Sequence, residues 1–148
     1  MTLANSLEHL LKSAISSFQT MVPVSITIES ASLPSTDSIF TIQHVHIGLT
    51  GDVSGSLIIK GEESTFSNLA QSMFGMEVEG AMLQSFTCEL GNMIAGNLAT
   101  EATNAQVSLD ITTPSLYENA IAHNTDVLVS LPLKFQNSGY LHVSISAD

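Results

Sequence analysis

The sequence contains no arginine and only three lysines, Lys12, Lys60 and Lys134, against 14 acidic side chains, for a formal net charge of −11 over 148 residues. A nucleic-acid binder neutralises phosphates with Lys and Arg, and three lysines cannot build a phosphate-tracking surface. An anionic membrane surface is disfavoured on the same ground, and any chemistry that needs a guanidinium clamp must borrow one from a partner. Cysteine is scarcer still. Cys88 stands alone, which excludes an intrachain disulfide and a Cys-rich zinc site. No apolar run approaches the roughly 18 residues of a membrane-spanning helix. The segment from Met1 to His9 lacks the basic start and long apolar stretch of a secretion signal, so the expected compartment is the cytoplasm. Charged residues make up 11% of the chain and apolar ones 44%, too apolar for a disordered acidic tail. We expect one folded domain over residues 1–148, with a real core and a partner that brings its own positive charge.

The apolar pattern changes period along the chain. Leu3, Leu7, Leu10, Leu11, Ile15 and Phe18 recur at helical steps, and Pro23 ends that run. Val24, Ile26 and Ile28 alternate with polar residues, as do Ile39 to Leu49 and Ser56 to Lys60. Pro34 to Asp37 reads as a turn, and Gly51 to Gly55 as a hairpin turn. Glu62 to Met76 is helical again, with Phe66, Leu69, Ala70, Met73 and Phe74 on one side, and a long helix runs from Ala81 to about Asn104. Three alternating strands follow, Val107 to Thr112, Asp126 to Phe135 and Tyr140 to Ile145, with a turn at Asn137-Ser138-Gly139. The order α-βββ-αα-βββ groups the helices, which predicts an α+β fold with a largely antiparallel six-stranded sheet.

The long helix carries the most information. At about 100° per residue, Leu83, Phe86, Leu90, Ile94 and Leu98 form a core face. Ser85, Glu89, Asn92 and Gly96 gather nearly opposite, and Cys88, Gly91, Ala95 and Ala99 form a strip of small residues that lets another backbone approach closely. Two glycines inside a helix cost roughly 1 kcal/mol each relative to alanine, so they point to close packing or access. Glu89 and Asn92 project together. A carboxylate can pair with a partner lysine, and a carboxamide, donor and acceptor at once, can hold a water in line for attack. That equipment suffices to assist phosphoryl hydrolysis, where positioning and electrostatics do most of the work. Composition alone predicts about half a Glu-x-x-Asn pair in such a chain, and a second exists at Glu101 and Asn104. On spacing alone, a solvated helix face is the far commoner explanation of the first pair.

The stretch Ser85-Phe86-Thr87-Cys88-Glu89-Leu90-Gly91-Asn92-Met93-Ile94-Ala95-Gly96 resembles the signature helix of the CheX/CheC family of chemotaxis phosphatases. That pattern is Asp or Ser, three residues, Glu, two residues, Asn, then a Pro further on. Ser85, Glu89 and Asn92 match it, and Pro114 follows Asn92 after 21 residues, one short of the family's usual gap. Upstream, Ile47 to Gly51 with Gly55 to Ile59, and Leu69 to Gly75, are similar to the family's Gly-rich strand pair and following helix. The Glu101/Asn104 pair lacks the residue four before it and the Pro after it, so one site per chain is expected.

The resemblance implies a CheC-like fold and a phosphatase that acts on the phosphoaspartate of a CheY-type response regulator. Asn92 would enter the acyl-phosphate pocket and orient the attacking water, while Glu89 would engage a lysine of the regulator. Ser85 and Gly96 would contact the partner, and Pro114 belongs to the motif. Mg²⁺ is expected in the regulator, with no cofactor or metal in this chain. A homodimer is implied too, with Tyr140 to Ser146 as an edge strand available for pairing. The alternative is a non-catalytic scaffold, like the flagellar-switch proteins of related fold, that binds a regulator without hydrolysing anything.

Three other features have plainer readings. His44 and His46 share a strand face at a spacing that can bind zinc with His142 or a carboxylate as third ligand, but surface histidines are the commoner case. Cys88 has no obvious base beside it and reads as a buried thiol. Met73, Met76, Met82 and Met93 read as core filler.

Overall fold

A computed structural model describes residues 3–28, 42–118 and 127–147. The elements are helix α1 (Leu3–Met21), strands β1 (Ile26–Ile28), β2 (Ile42–Gly51) and β3 (Gly55–Glu62), helices α2 (Glu63–Phe74) and α3 (Ala81–Asn104), then strands β4 (Leu109–Ile111), β5 (Ser115–Glu118), β6 (Val127–Phe135) and β7 (Gly139–Ala147). The expected turn at Pro34 to Asp37 and the strand start at Ile39 lie outside the described residues. The sheet runs β1-β6-β7-β3-β2-β4, with β5 pairing β2 alongside β4, and every described pairing is antiparallel.

The period-2 pattern decides which sheet face the helices cover. Val45, Ile47 and Leu49 on β2, Leu57 and Ile59 on β3, and Leu141, Val143 and Ile145 on β7 are buried in one cluster. From the helices, α1 adds Leu7, Leu10, Ala14 and Phe18, and α3 adds Leu83, Leu90, Ile94 and Leu98. Phe18 meets Phe135 edge-on with ring centroids 5.6 Å apart. Burying each of the Val, Leu, Ile and Phe side chains contributes roughly 1.5–3 kcal/mol. Among the described residues no helix is long and apolar enough to cross a membrane.

The structure corrects four expectations. The sheet has seven strands, because β5 starts directly after Pro114 and pairs Ser115 to Glu118 with His46 to Gln43; four residues with Leu116 and Tyr117 adjacent show no alternation to read. Strand β7 is interior, between β6 and β3, because its buried Leu141, Val143 and Ile145 need neighbours on both sides. The path ends instead at β1 and β4. Met76 and Met82 are exposed rather than core filler: α2 stops at Phe74, where Gly75 turns left-handed (φ 68°) and its N–H closes on Gln71 O at 2.8 Å, leaving Met76 outside the helix. Met73 packs against the core and Met93 is half-buried. His44 is only 3% exposed, not a surface residue, and His46 is half-buried.

Candidate functional site

The seat of α3 on the sheet determines which of its residues face outward. Gly91 lies against β2 so closely that a Cβ there would stand 3.0 Å from Val45 Cγ2 and 3.1 Å from Ile47 Cδ1. One turn earlier the Thr87 hydroxyl donates to Gln43 Oε1 at 2.8 Å, both residues being buried. What the small-residue strip admits at Gly91 is therefore side chains of this chain's own β2 rather than another backbone. On the other flank, Ser17 of α1 donates to Asn97 Oδ1 at 2.7 Å, and Ser16 reaches Glu101 Oε1 at 3.4 Å. With its inner faces so held, α3 presents Ser85, Glu89 and Asn92 to solvent. The second Glu-x-x-Asn pair looks elsewhere, since Glu101 is half-buried against α1.

An open groove of about 560 Å³ lies between this stripe and the segment after β4. Ser85, Cys88, Glu89 and Asn92 form one wall, and Ile111, Thr112, Thr113 and Pro114 the other. Four of the five residues expected at the site are thus brought together. The fifth, Gly96, sits one turn beyond Asn92 on the same stripe, half-exposed, with nothing within 4 Å of where a Cβ would stand. Thr112 and Thr113 escaped the sequence reading because no spacing rule links them to α3. They arrive through strand pairing: Leu49 faces Ile111, Gly48 N–H donates to Thr112 Oγ1 at 2.8 Å, and Thr112 N–H returns to Gly48 O at 3.0 Å. Nearby, Ser108 N–H donates to Asp52 Oδ2 at 2.8 Å, so the far wall is tied to the β2–β3 hairpin at both ends.

The groove's chemistry is narrow. Its one carboxylate and one carboxamide, from Glu89 and Asn92, are exposed, and none of the chain's three lysines belongs to α2, α3 or the groove. Cys88 lines the groove half-exposed rather than lying buried, and partial burial pushes its thiol above the usual range, away from a thiolate nucleophile. The histidines form no comparable site. His44 and His46 lie with ring centroids 6.3 Å apart, but Lys60 stands between His44 and His142 in the strand register. Burial, and then the Lys60 ammonium, hold His142 below the ordinary histidine range, and its Nε2 sits 3.2 Å from Ser130 Oγ. Among the described residues, no group of three or more His, Cys, Asp and Glu side chains gathers in a way that can hold a metal ion.

Comparison with known proteins adds independent findings. The family described as chemotaxis phosphatase CheX matches residues 44–136. The CheY-P phosphatase CheX of Thermotoga maritima is 32% identical over 124 residues, covering 77% of this chain and 80% of that protein. Among solved structures, a chain of the CheX–CheY–BeF3–Mg²⁺ complex from Borrelia burgdorferi superposes with a TM-score of 0.74 at 26% identity, covering 94% of this chain and 95% of that one. The chemotaxis protein CheX of Vibrio vulnificus shares the fold with a TM-score of 0.77 at 18% identity, over 100% of this chain and 99% of that one.

Proposed function

This chain belongs to the CheX family of chemotaxis phosphatases, and from that premise we propose that it hydrolyses the aspartyl phosphate of a CheY-type response regulator, using Asn92 to hold the attacking water. The observation that carries the reading is the placement of Glu89 and Asn92, exposed on α3 and sharing one open groove with Pro114. An acyl phosphate in water is already reactive, so the added rate comes from fixing a water in line and from removing the entropy of encounter. The Asn92 carboxamide accepts from that water through its oxygen and donates from its nitrogen toward a phosphoryl oxygen, without taking up charge. Glu89, three residues earlier on the same face, pairs with a lysine of the regulator and sets the depth to which Asn92 enters. Ser85 and Gly96 extend the contact to either side, and the open space above Gly96 lets the partner's backbone come close.

The Mg²⁺ that neutralises phosphoryl charge belongs to the regulator in this reading, as does every cation at the reaction centre. A chain without arginine suits that division of labour. We place the protein in the cytoplasm, as a single domain that acts as a homodimer. With β7 interior, the ends of the described sheet path, β1 and β4, replace the last strand as pairing edges.

The test is to add the protein to a phosphorylated CheY-type receiver and follow phosphate loss. Wild type accelerates it, and Asn92→Ala returns the rate close to that of the receiver alone. A wild type that binds the phosphorylated receiver and leaves its rate unchanged would make this chain a scaffold instead.

A further inference from the structure

Three large apolar side chains stand out of the surface at the start of α3. Phe74, the last residue of α2, is 55% exposed; Met76 is 48% and Met82 54% exposed. Phe74 and Met82 are linked through Phe86, and Met76 follows Phe74 by two residues. Phe74 meets Phe86 edge-on with centroids 5.9 Å apart, and Met82 precedes Phe86 by one helical turn. The patch also continues the candidate site. Met82 and Glu89 are seven residues apart on α3, which places them about 20° apart around the helix and about 10 Å apart along it. Exposed Glu77 and Glu79 follow Met76 in the segment joining the two helices.

We propose that Phe74, Met76 and Met82 form a second docking surface for the same phosphorylated receiver, taking an apolar side chain of the receiver that is flanked by Lys or Arg. The inference rests on the phosphatase reading and deepens it. A groove lined mainly by small polar groups cannot hold a partner by itself: a specific interface buries about 800 Å² per side, with Phe and Met enriched at its centre. The patch supplies that centre, in line with Glu89 on the same helix. Its acidic rim sets the sign of the partner, because Lys12, Lys60 and Lys134 belong to α1, β3 and β6 and none to α2, α3 or the segment joining them. The same rim disfavours a second copy of this chain. A two-fold interface places a surface against itself, and Glu77 and Glu79 would then meet their own equivalents with no cation between them.

The experiment measures binding of a beryllofluoride-loaded, Mg²⁺-loaded CheY-type receiver to the full chain, with phosphate loss from the phosphorylated receiver read separately. Phe74→Ser with Met82→Ser is expected to weaken Kd at least tenfold and to raise KM alongside, while the saturated rate changes no more than about twofold. Glu77→Lys with Glu79→Lys disturbs no apolar contact and is expected to weaken Kd by a similar factor at low salt, with the loss shrinking as salt rises. It keeps the proposal testable if the first variant unfolds. A Kd within twofold of wild type in both variants overturns it, as does a wild type that fails to bind the loaded receiver. A dimer in sedimentation that Phe74→Ser with Met82→Ser dissociates, with receiver Kd unchanged, also overturns it and gives the patch to self-association. If wild type binds without hastening phosphate loss and the variants still weaken binding, the docking surface stands and the phosphatase reading fails.

Discussion

Asn92 on α3 and Pro114, with 21 residues between them in the chain, line the same open groove. The spacing, one residue short of the family pattern, therefore leaves the proline at the site. Thr112 is what holds that wall, since its hydroxyl accepts from Gly48 N–H while its own N–H returns to Gly48 O. Thr112→Val keeps the shape and removes the hydroxyl acceptor. The expected cost is about 1 kcal/mol in urea unfolding, with a turnover loss larger than that stability change because the wall facing Asn92 loosens. Equal small losses in both would reduce Thr112 to an ordinary turn contact.

The two glycines of α3 predict opposite results. At Gly91 a new Cβ meets Val45 and Ile47 at 3.0–3.2 Å, so the helix-propensity gain of about 1 kcal/mol is opposed by an overpacking cost of about 1–3 kcal/mol. Gly91→Ala should lower Tm or leave it flat. At Gly96 nothing stands within 4 Å, so Gly96→Ala should raise stability by up to about 1 kcal/mol while weakening receiver binding. Thermal melts and receiver titrations of the two variants decide it, and a Gly96→Ala protein that melts lower would show that this face is not open.

How much of this was legible in the sequence depends on the element. The bounds of α3 and its core face were readable because 24 periodic residues repeat one signal through six turns. Its polar stripe was readable from the same wheel, and the family pattern singled out Glu89 and Asn92 from a chance pair. Strand β5 was not, since four residues after a proline carry no period. The interior place of β7 was not either: strand order comes from pairing between distant segments, and no local pattern encodes it. The far groove wall at Thr112 and Thr113 was invisible for the same reason, being delivered by the pairing of β4 with β2. Met82 was misread by residue type, although its position in line with Glu89 marked it as outward.

Cys88 offers a chemical probe of the groove. Burial raises its thiol above the usual range, so at neutral pH the thiolate fraction is below that of a free cysteine, and iodoacetamide should label it slowly, faster as pH rises. Because Cys88 shares a wall with Glu89 and Asn92, the alkylated protein should lose receiver binding. Rapid labelling at pH 7, read by mass spectrometry, would contradict the described burial.

His142 gives the fold a pH dependence with a definite sign. Burial and Lys60 lower its pKa in the folded state, so the unfolded chain binds the extra proton more readily below an ordinary value of about 6.5. Stability contributed by neutral His142 is therefore present above that pH and is lost as pH falls toward the folded-state value. Tm should decline on acidification through this window, and less steeply in His142→Asn. In Lys60→Met, the His142 titration followed by NMR should move up. An unmoved His142 would remove Lys60 as a cause.

The central claim is that Asn92 acts on the attacking water while Glu89 acts through docking. The most direct measurement is single-turnover phosphate loss from a phosphorylated CheY-type receiver at saturating wild type, Asn92→Ala and Glu89→Ala. The account predicts that Asn92→Ala binds the receiver within a few-fold of wild type yet lowers the saturated rate by about 10²-fold or more, the range for losing one positioned polar group. Glu89→Ala should mainly raise the concentration needed for saturation. A saturated rate for Asn92→Ala equal to that of wild type would contradict the account.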